Sequence, residues 1–516
     1  MDRRHFLGGG MAAGLAAFLQ APQARSASPI SFASDPFALG VASGDPSADG
    51  VVLWTRLCPD PLDPDGLGDR AFEVGYQVAA DPAFKRIVRA GRRTALPERA
   101  HTVHVDLYGL EPDRDYWYRF EAGGVQSPVG RAITLPAPGA PKDRLKLAWA
   151  SCQHYEAGLF SAYRDMIAGD PRLILHVGDY IYESPSSGPQ YRRHPNANPR
   201  TLAQYRSHHA VYKTDPDLQA AHLHTSWAFV WDDHEVSNDY AGLAPENPAE
   251  TADFPARRAA AYQAYLEHLP ISRRALLGPD GVRLYQRLAF GDLVDLVMLD
   301  TRQYRSPRAC IDPVNYRSRA VGCSELTAAG RTVLGADQER WLGQMLTRDP
   351  ARWTALVQTT MFARLFQHDA SGADVGYQDG WDGYPMARQA VTDRLVQSKV
   401  QNAVFLGGDV HCFFANDVRA DFRKPDSPVV ASEFVGTSIT SPSYGYAAYK
   451  KIVDAPDNNH IHFYDDRKRG YGRAEITREG WNVDLRQIDS VWSKAPVVSS
   501  LARFHVAAGR PGPQAA

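Results

Sequence analysis

Residues 145 to 182 constrain this chain more than any other stretch. Leu145-Lys-Leu-Ala-Trp-Ala-Ser-Cys152 and Leu173-Ile-Leu-His-Val-Gly-Asp179-Tyr-Ile-Tyr182 are short apolar runs, each ending in residues able to bind a metal. Between them, Phe160-Ser-Ala-Tyr-Arg-Asp-Met-Ile167 carries apolar positions at helical spacing. Runs of this length read as buried strands, and strand, helix, strand predicts a βαβ unit. Sites in open α/β sheets gather at the carboxyl ends of strands. Cys152, Asp179 and Tyr182 are therefore candidate ligands.

The same pattern recurs downstream. Trp227-Ala-Phe-Val-Trp-Asp232-Asp233-His234-Glu235 ends in acidic and imidazole groups, with Asn238 close behind, and Asn402-Ala-Val-Phe-Leu-Gly-Gly-Asp409-Val-His411 does likewise. Further strands are expected at 293–300, 353–358, 429–435 and 472–476. Helices are expected around 201–223, 256–269 and 387–400, and another from Ala336. This alternation predicts an α/β fold, a layered β-sheet domain flanked by helices over residues 145–490. Residues 35–137 instead alternate in short segments punctuated by Gly, Pro and Asp. Tyr116 follows the Leu110-Glu-Pro112 turn, which resembles the tyrosine corner of sandwich domains. A small fibronectin type III-like β-sandwich is expected there, as a packing module without chemistry of its own. Residues 136–142, rich in Pro and Ala, read as the linker, and residues 491–516 as a loose C-terminal tail.

Composition matters mainly for what it excludes. The formal net charge of −2 gives no electrostatic case for a nucleic-acid or anionic-membrane partner. No apolar stretch beyond the N-terminus is long enough to span a bilayer. Residues 1–27 read as a signal peptide: Arg3-Arg4 before Phe6-Leu7, a Gly/Ala-rich run from Gly8 to Leu19, then small residues at Ala24, Ser26 and Ala27. The adjacent arginines resemble a twin-arginine export signal. Export of the folded protein to the periplasm or exterior is expected, with the twin-arginine machinery as a partner and the mature protein a monomer. Five cysteines leave at least one outside any pair. Cys310 and Cys323 are the expected disulfide, Cys412 a buried inert thiol, and Cys152 a metal-ligand candidate.

Four strand ends carrying S, O and N donors point to a metal site with more than one ion. A phenolate and a thiolate, from Tyr182 and Cys152, favour Fe(III) at one half. Carboxylate and amide oxygens suit Ca(II) or Mg(II) at the other. Gly178-Asp179-x-x-Tyr182 resembles the motif of purple acid phosphatases and the wider calcineurin-like metallophosphoesterases. Trp231-Asp-Asp-His-Glu235 and Gly408-Asp409-x-His411 resemble two further motifs of that superfamily, with Asp in the Asn place and in the first His place. Those departures, together with Ser151-Cys152 and Asp300-Thr-Arg302-x-Tyr304-Arg305, resemble the PhoD-type alkaline phosphatase family over nearly the whole chain.

The resemblance implies that Cys152, Asp179, Tyr182 and His411 hold Fe(III). Asp179 would bridge to one or two Ca(II) ions held also by Asp233, Asp409 and Asn238, with Asp232 the alternative to Asp233. His234 would sit over the metals and meet the substrate, and Arg302 would clamp phosphate. A water made acidic by the metals would supply hydroxide for in-line attack on phosphorus. The expected function is an exported alkaline phosphatase for phosphate scavenging. A phosphodiesterase or phospholipase D-type enzyme on the same scaffold, and a non-catalytic metal-containing envelope protein, are the alternatives.

Several residues have plainer readings. His176 is expected as a core histidine with its hydrogen bonds satisfied, His154 as a loop histidine facing water, with reach into the site as the alternative, and Asp295 as a hydrogen-bonded residue within a strand. Residues 379–384 read equally as a loop over the pocket or a surface turn. His460 and His462 fit an edge strand, and Arg302 could as easily pair with a carboxylate.

Overall fold

A computed structural model describes residues 31–516, apart from residues 64, 278–281, 312–318, 322, 349–350 and 444; the side chains of 319–321 also lie outside the description. The expected signal peptide falls outside the described residues.

Two β-sheets lie face to face. In the first, strands Arg144–Ala150, Leu173–Val177 and Trp227–Val230 run parallel. In the second, Val294–Met298, Trp353–Val357, Ala403–Gly407 and Val429–Val435 run parallel. Side chains alternate along each strand. Leu173, Leu175 and Val177 point into the core between the sheets, against Leu296, Met298, Val357 and Leu406. Ile174, on the opposite face, packs under helices Ala162–Ala168, Leu202–Tyr212, Pro216–His224 and Phe254–His268. Helices Gly335–Thr347, Pro385–Gln397 and Tyr446–Val453 cover the outer face of the second sheet. The result is an α/β/β/α layering in which both faces of each parallel strand are buried, which is why these strands read as unbroken apolar runs. Among the described residues no helix is long and apolar enough to cross a membrane.

The N-terminal segment forms a β-sandwich around Leu53, Val74, Val105, Tyr118 and Phe120. Its tyrosine corner is present: Tyr116 Oη accepts the Glu111 N–H at 2.9 Å. One of its sheets, strands Val41–Gly44, Val51–Arg56 and Thr102–Leu107, is continuous with the first catalytic sheet, and Gly44 pairs with Trp227. The single ten-stranded sheet that results was not foreseen from sequence.

Three other expectations change. The helix expected over 201–223 is two helices, broken at Asp215-Pro216, where Asp215 caps the second by accepting the N–H groups of Asp217 and Leu218. The expected loose tail is instead two strands, Val498–Ala507 and Arg510–Ala515, at the edge of the ten-stranded sheet. Pro511 and Pro513 hid the last strand, and proline is tolerated there because an edge strand has one side free of the ladder. His176 is buried as expected, but neither ring nitrogen has a hydrogen-bond partner. Asp295 is within its strand and pairs with Arg287 at 2.5 Å. Cys310 and Cys323 form the expected disulfide, and Cys412 is a buried free thiol.

Candidate metal centre

The parallel strands of both sheets end at one rim, and the expected ligands stand on that rim. Cys152 follows the strand ending at Ala150, Asp179 that ending at Val177, Asp232 and Asp233 that ending at Val230, and Asp409 and His411 that ending at Gly407. Four of these residues hold positive φ: Cys152 at 58°, Asp179 at 57°, Asp409 at 61° and His411 at 52°. Non-glycine residues rarely adopt this backbone, and its clustering at one rim marks a site where surrounding structure enforces the side-chain direction. Glu235 is part of that enforcement. Its Oε2 accepts the N–H groups of Asp232 at 2.8 Å and Asp179 at 3.1 Å, and its Oε1 that of Tyr180 at 2.6 Å. Two strand-end loops are thereby locked to one carboxylate.

Among the described residues Asp179 belongs to three donor clusters, two of which do not include His234. One joins donor atoms of Cys152, Asp179 and His411, mutually within 4.8 Å; the other joins Asp179, Asp232, Asp233 and Asp409 within the same limit. Tyr182 belongs with the first, since its hydroxyl donates to Asp179 Oδ2 at 2.9 Å and lies 3.1 Å from His411 Nε2. His411 Nδ1 donates to the Pro442 carbonyl at 2.7 Å, which leaves the Nε2 lone pair for a ligand bond. In the second cluster Thr360 Oγ1 donates to Asp409 Oδ2 at 2.7 Å. Asp179 Oδ1, Asp232 Oδ2 and Asp233 Oδ1 are buried with no hydrogen-bond partner.

The electrostatics bear on which groups the site can hold. Burial, reinforced by neighbouring carboxylates, pushes Asp179 and Asp409 well above the ordinary carboxylate range. Burial also pushes the Cys152 thiol up, with Asp179 and Asp409 adding to it. Crowded buried carboxylates with orphaned oxygens need cations to remain ionised. The donor set therefore fits metal ions, with a mixed S, N and O half beside an all-oxygen half.

Asp232 and Asp233 are separated by their partners. Asp232 Oδ1 takes Arg302 Nε at 2.5 Å and Thr359 Oγ1 at 2.9 Å, while Asp233 Oδ2 takes the Asp239 N–H at 2.7 Å. Each keeps one oxygen for the cluster. Asn238 stands on the cleft wall, where its N–H donates to Glu183 and its side chain meets Glu246.

Arg302 takes the plainer of its two sequence readings. It is fully buried, and besides Asp232 it holds both oxygens of Asp379, through Nη1 at 2.7 Å and Nη2 at 2.5 Å. Every charged end is occupied by carboxylate, so the expected phosphate clamp is an internal tie between strand ends. Asp379, left open by the sequence, is the buried hub of that tie and also takes Arg305. His154, expected to face water, is buried beside Tyr182 with ring centroids 4.4 Å apart. His460 Nε2 donates to the Arg364 carbonyl and His462 pairs with Asp417, so both are structural.

His234 stacks on Tyr182 with ring centroids 4.1 Å apart. Its Nδ1 meets Glu183 Oε2 at 2.7 Å, and a donor nitrogen lies within 4.8 Å of oxygens of Asp179 and Asp233. Burial works against its charge, but Glu183, Asp233 and Asp179 together hold its pKa well above the usual histidine value. Sequence reading missed Glu183; its place directly after Tyr182 was the available signal. A cleft of about 1280 Å³ opens over this rim.

Known proteins resemble the chain over nearly its whole length. The PhoD-like phosphatase family profile matches residues 147–485, and the PhoD-like phosphatase N-terminal domain profile matches residues 22–136. Alkaline phosphatase D of Bacillus subtilis (strain 168) is 42% identical over 515 residues, covering 98% of this chain and 87% of that protein. A solved structure described as the structure of PhoD superposes with a TM-score of 0.89 at 41% identity, covering 94% of this chain and 93% of that one.

Proposed function

The chain belongs to the PhoD-like phosphatase family and is an alkaline phosphatase, and from that premise we propose that it hydrolyses phosphate esters at an Fe(III)/Ca(II) centre built on the strand-end rim. The observation that carries this reading is the sharing of Asp179 by two donor clusters of different chemistry. Cys152, Asp179, Tyr182 and His411 would hold Fe(III). Asp179, Asp233, Asp409 and Asn238, with Asp232 beside them, would hold one or two Ca(II) ions. When bound, the ions supply a water acidic enough to act as nucleophile and neutralise phosphoryl charge.

The chain's own groups supply the rest. Glu183 fixes His234 through Nδ1, leaving Nε2 to meet the substrate and hand a proton to the leaving oxygen. Glu235 and the tie from Arg302 to Asp379 fix the carboxylates before substrate arrives, so little reorganisation accompanies reaction. Tyr182 and His154 close one side of the cleft. The twin-arginine signal at 1–27 would send the folded, metal-loaded monomer to the periplasm or exterior, where it scavenges phosphate. The sandwich at 35–137 packs against the catalytic domain at 145–490 and lends it no catalytic group.

The test is metal analysis of purified protein beside p-nitrophenyl phosphate hydrolysis. Iron and calcium together with turnover are expected, and Asp179→Asn should lose both metals and activity. An active protein holding neither iron nor calcium would refute the assignment. One observation favours diesters as a second reading: the cleft is larger than a phosphate monoester needs and includes an apolar wall at Met361, Leu365 and Phe414. Faster turnover of bis-p-nitrophenyl phosphate than of the monoester would select it.

A further inference from the structure

Among the described residues, three arginines line the cleft: Arg200, Arg257 and Arg308. Arg200 is held by both oxygens of Glu250. Arg257 is held by the Pro199 carbonyl, Tyr205, Ser237 and Glu250. Arg308 is different. Its side chain is 3% exposed, and Nη1 donates to Asp239 Oδ2 at 2.5 Å, but Nη2 is buried with no hydrogen-bond partner among the described residues. A buried charged donor left unpaired is costly, and folded proteins keep few of them. Asp239 in turn clusters with Asp233 and Asp379, so Arg308 stands one residue away from the candidate metal ligands.

The segment carrying Arg308 is also anchored. Cys310, two residues on, is on the same wall and is tied to Cys323. Its N–H donates to Glu325 Oε2 at 3.2 Å, and its carbonyl accepts from Gln378 Nε2 at 3.3 Å, next to the hub Asp379. A side chain meant to meet substrate gains precision from such supports.

We propose that Arg308 contacts the phosphoryl oxygens of the substrate through Nη2, while Nη1 stays on Asp239. This rests on the phosphate-ester reading of the cleft. A guanidinium can hold a carboxylate through one nitrogen and a phosphoryl oxygen through another, and Arg302, the other candidate, has no nitrogen to spare. Charge on the equatorial phosphoryl oxygens during transfer would be met by a donor already in place. The dianionic monoester gains more from this contact than a monoanionic diester.

The test is steady-state kinetics with competitive inhibition by inorganic phosphate, on metal-loaded wild type, Arg308→Gln and Arg308→Lys. Arg308→Gln is expected to raise both KM for p-nitrophenyl phosphate and the inhibition constant for phosphate by about tenfold to a hundredfold, with metal content unchanged. Arg308→Lys should recover part of the loss. An unchanged phosphate inhibition constant in Arg308→Gln overturns the proposal while wild-type turnover leaves the phosphatase reading standing. So does an Asp239→Asn/Arg308→Gln double variant that regains wild-type phosphate affinity, since Arg308 would then serve only to neutralise Asp239. If Arg308→Gln does not fold, Arg308→Met takes its place, and an unchanged phosphate inhibition constant in that variant is the overturning result.

Discussion

Glu183 Oε2 lies 2.7 Å from His234 Nδ1, and the other oxygen of the same carboxylate accepts the Asn238 N–H at 2.8 Å. One side chain thus orients the histidine over the cluster and the residue on the cleft wall. Burial opposes ionisation of Glu183, yet His234 and the Asn238 N–H bring it down to about 2. Carboxylates behind site histidines typically matter by one to two orders of magnitude. Glu183→Gln should therefore lower kcat about tenfold to a hundredfold with iron and calcium retained. Kinetics beside metal analysis checks this, and wild-type kcat in the variant would refute the positioning role.

Arg302 and Asp379 make a second prediction. Both are buried, and Arg302 also ties Asp232, so neither partner can turn to solvent when the other is removed. Breaking a buried ion pair from one side typically costs about 3–5 kcal/mol. Asp379→Asn should destabilise the protein by that order in denaturant unfolding and weaken its metal content. A loss below about 1 kcal/mol would mean that the tie contributes little.

The four strand ends were legible because a parallel strand buried on both faces shows as an unbroken apolar run, and its last residues then stand out. Cys152, Asp179, Asp233 and His411 were singled out this way as candidates. The residues holding them were not. Thr359 and Thr360 follow a recognised strand, but a threonine there carries no signal for a hydrogen bond to Asp232 or Asp409. Asp379 lies in a Gly-rich loop, and for Arg302 a phosphate clamp and a carboxylate partner stayed equally open, since sequence does not disclose which arginine finds an acid inside. The junction between sandwich and catalytic sheet rests on a single bridge, Gly44 to Trp227, too brief for any periodicity to reveal.

Gly178 supplies a test of the close approach between two strand ends. It holds φ of 99°, and a Cβ there would stand 2.5 Å from Asp232 Cβ. Gly330 also has positive φ, 82°, but a Cβ there would meet nothing within 4 Å. Gly330→Ala should carry only the backbone penalty, about 1–2 kcal/mol, and keep full activity. Gly178→Ala adds a clash between two strand ends, with a further cost of about 1–3 kcal/mol, and should displace Asp179 or Asp232 and lose metal. Equal metal content in the two variants would show that the rim can absorb the extra atom.

Lys213 gives the last prediction, on pH. It is buried, with Nζ 3.3 Å from the Tyr180 hydroxyl and 4.3 Å from the centre of the Trp54 ring. Burial pushes its pKa down to about 7. Burial also holds its neighbours His209 and His222 well below the usual histidine value, with Lys213 adding to it in both. These are bases whose folded pKa lies below the unfolded one, so over the interval between the two the unfolded chain binds more protons and stability rises with pH. For Lys213 the interval runs from about pH 7 to about pH 10.4, and the histidines add a loss as pH falls through about 6.5. Wild type should gain about 2–3 kcal/mol in urea unfolding between about pH 7.5 and 9.5 from this lysine. Lys213→Met, which removes the proton-binding group and keeps an apolar stem against Trp54, should lose that gain and still weaken in acid. A variant that gained as much as wild type over the alkaline interval would mean that Lys213 is charged in the folded protein.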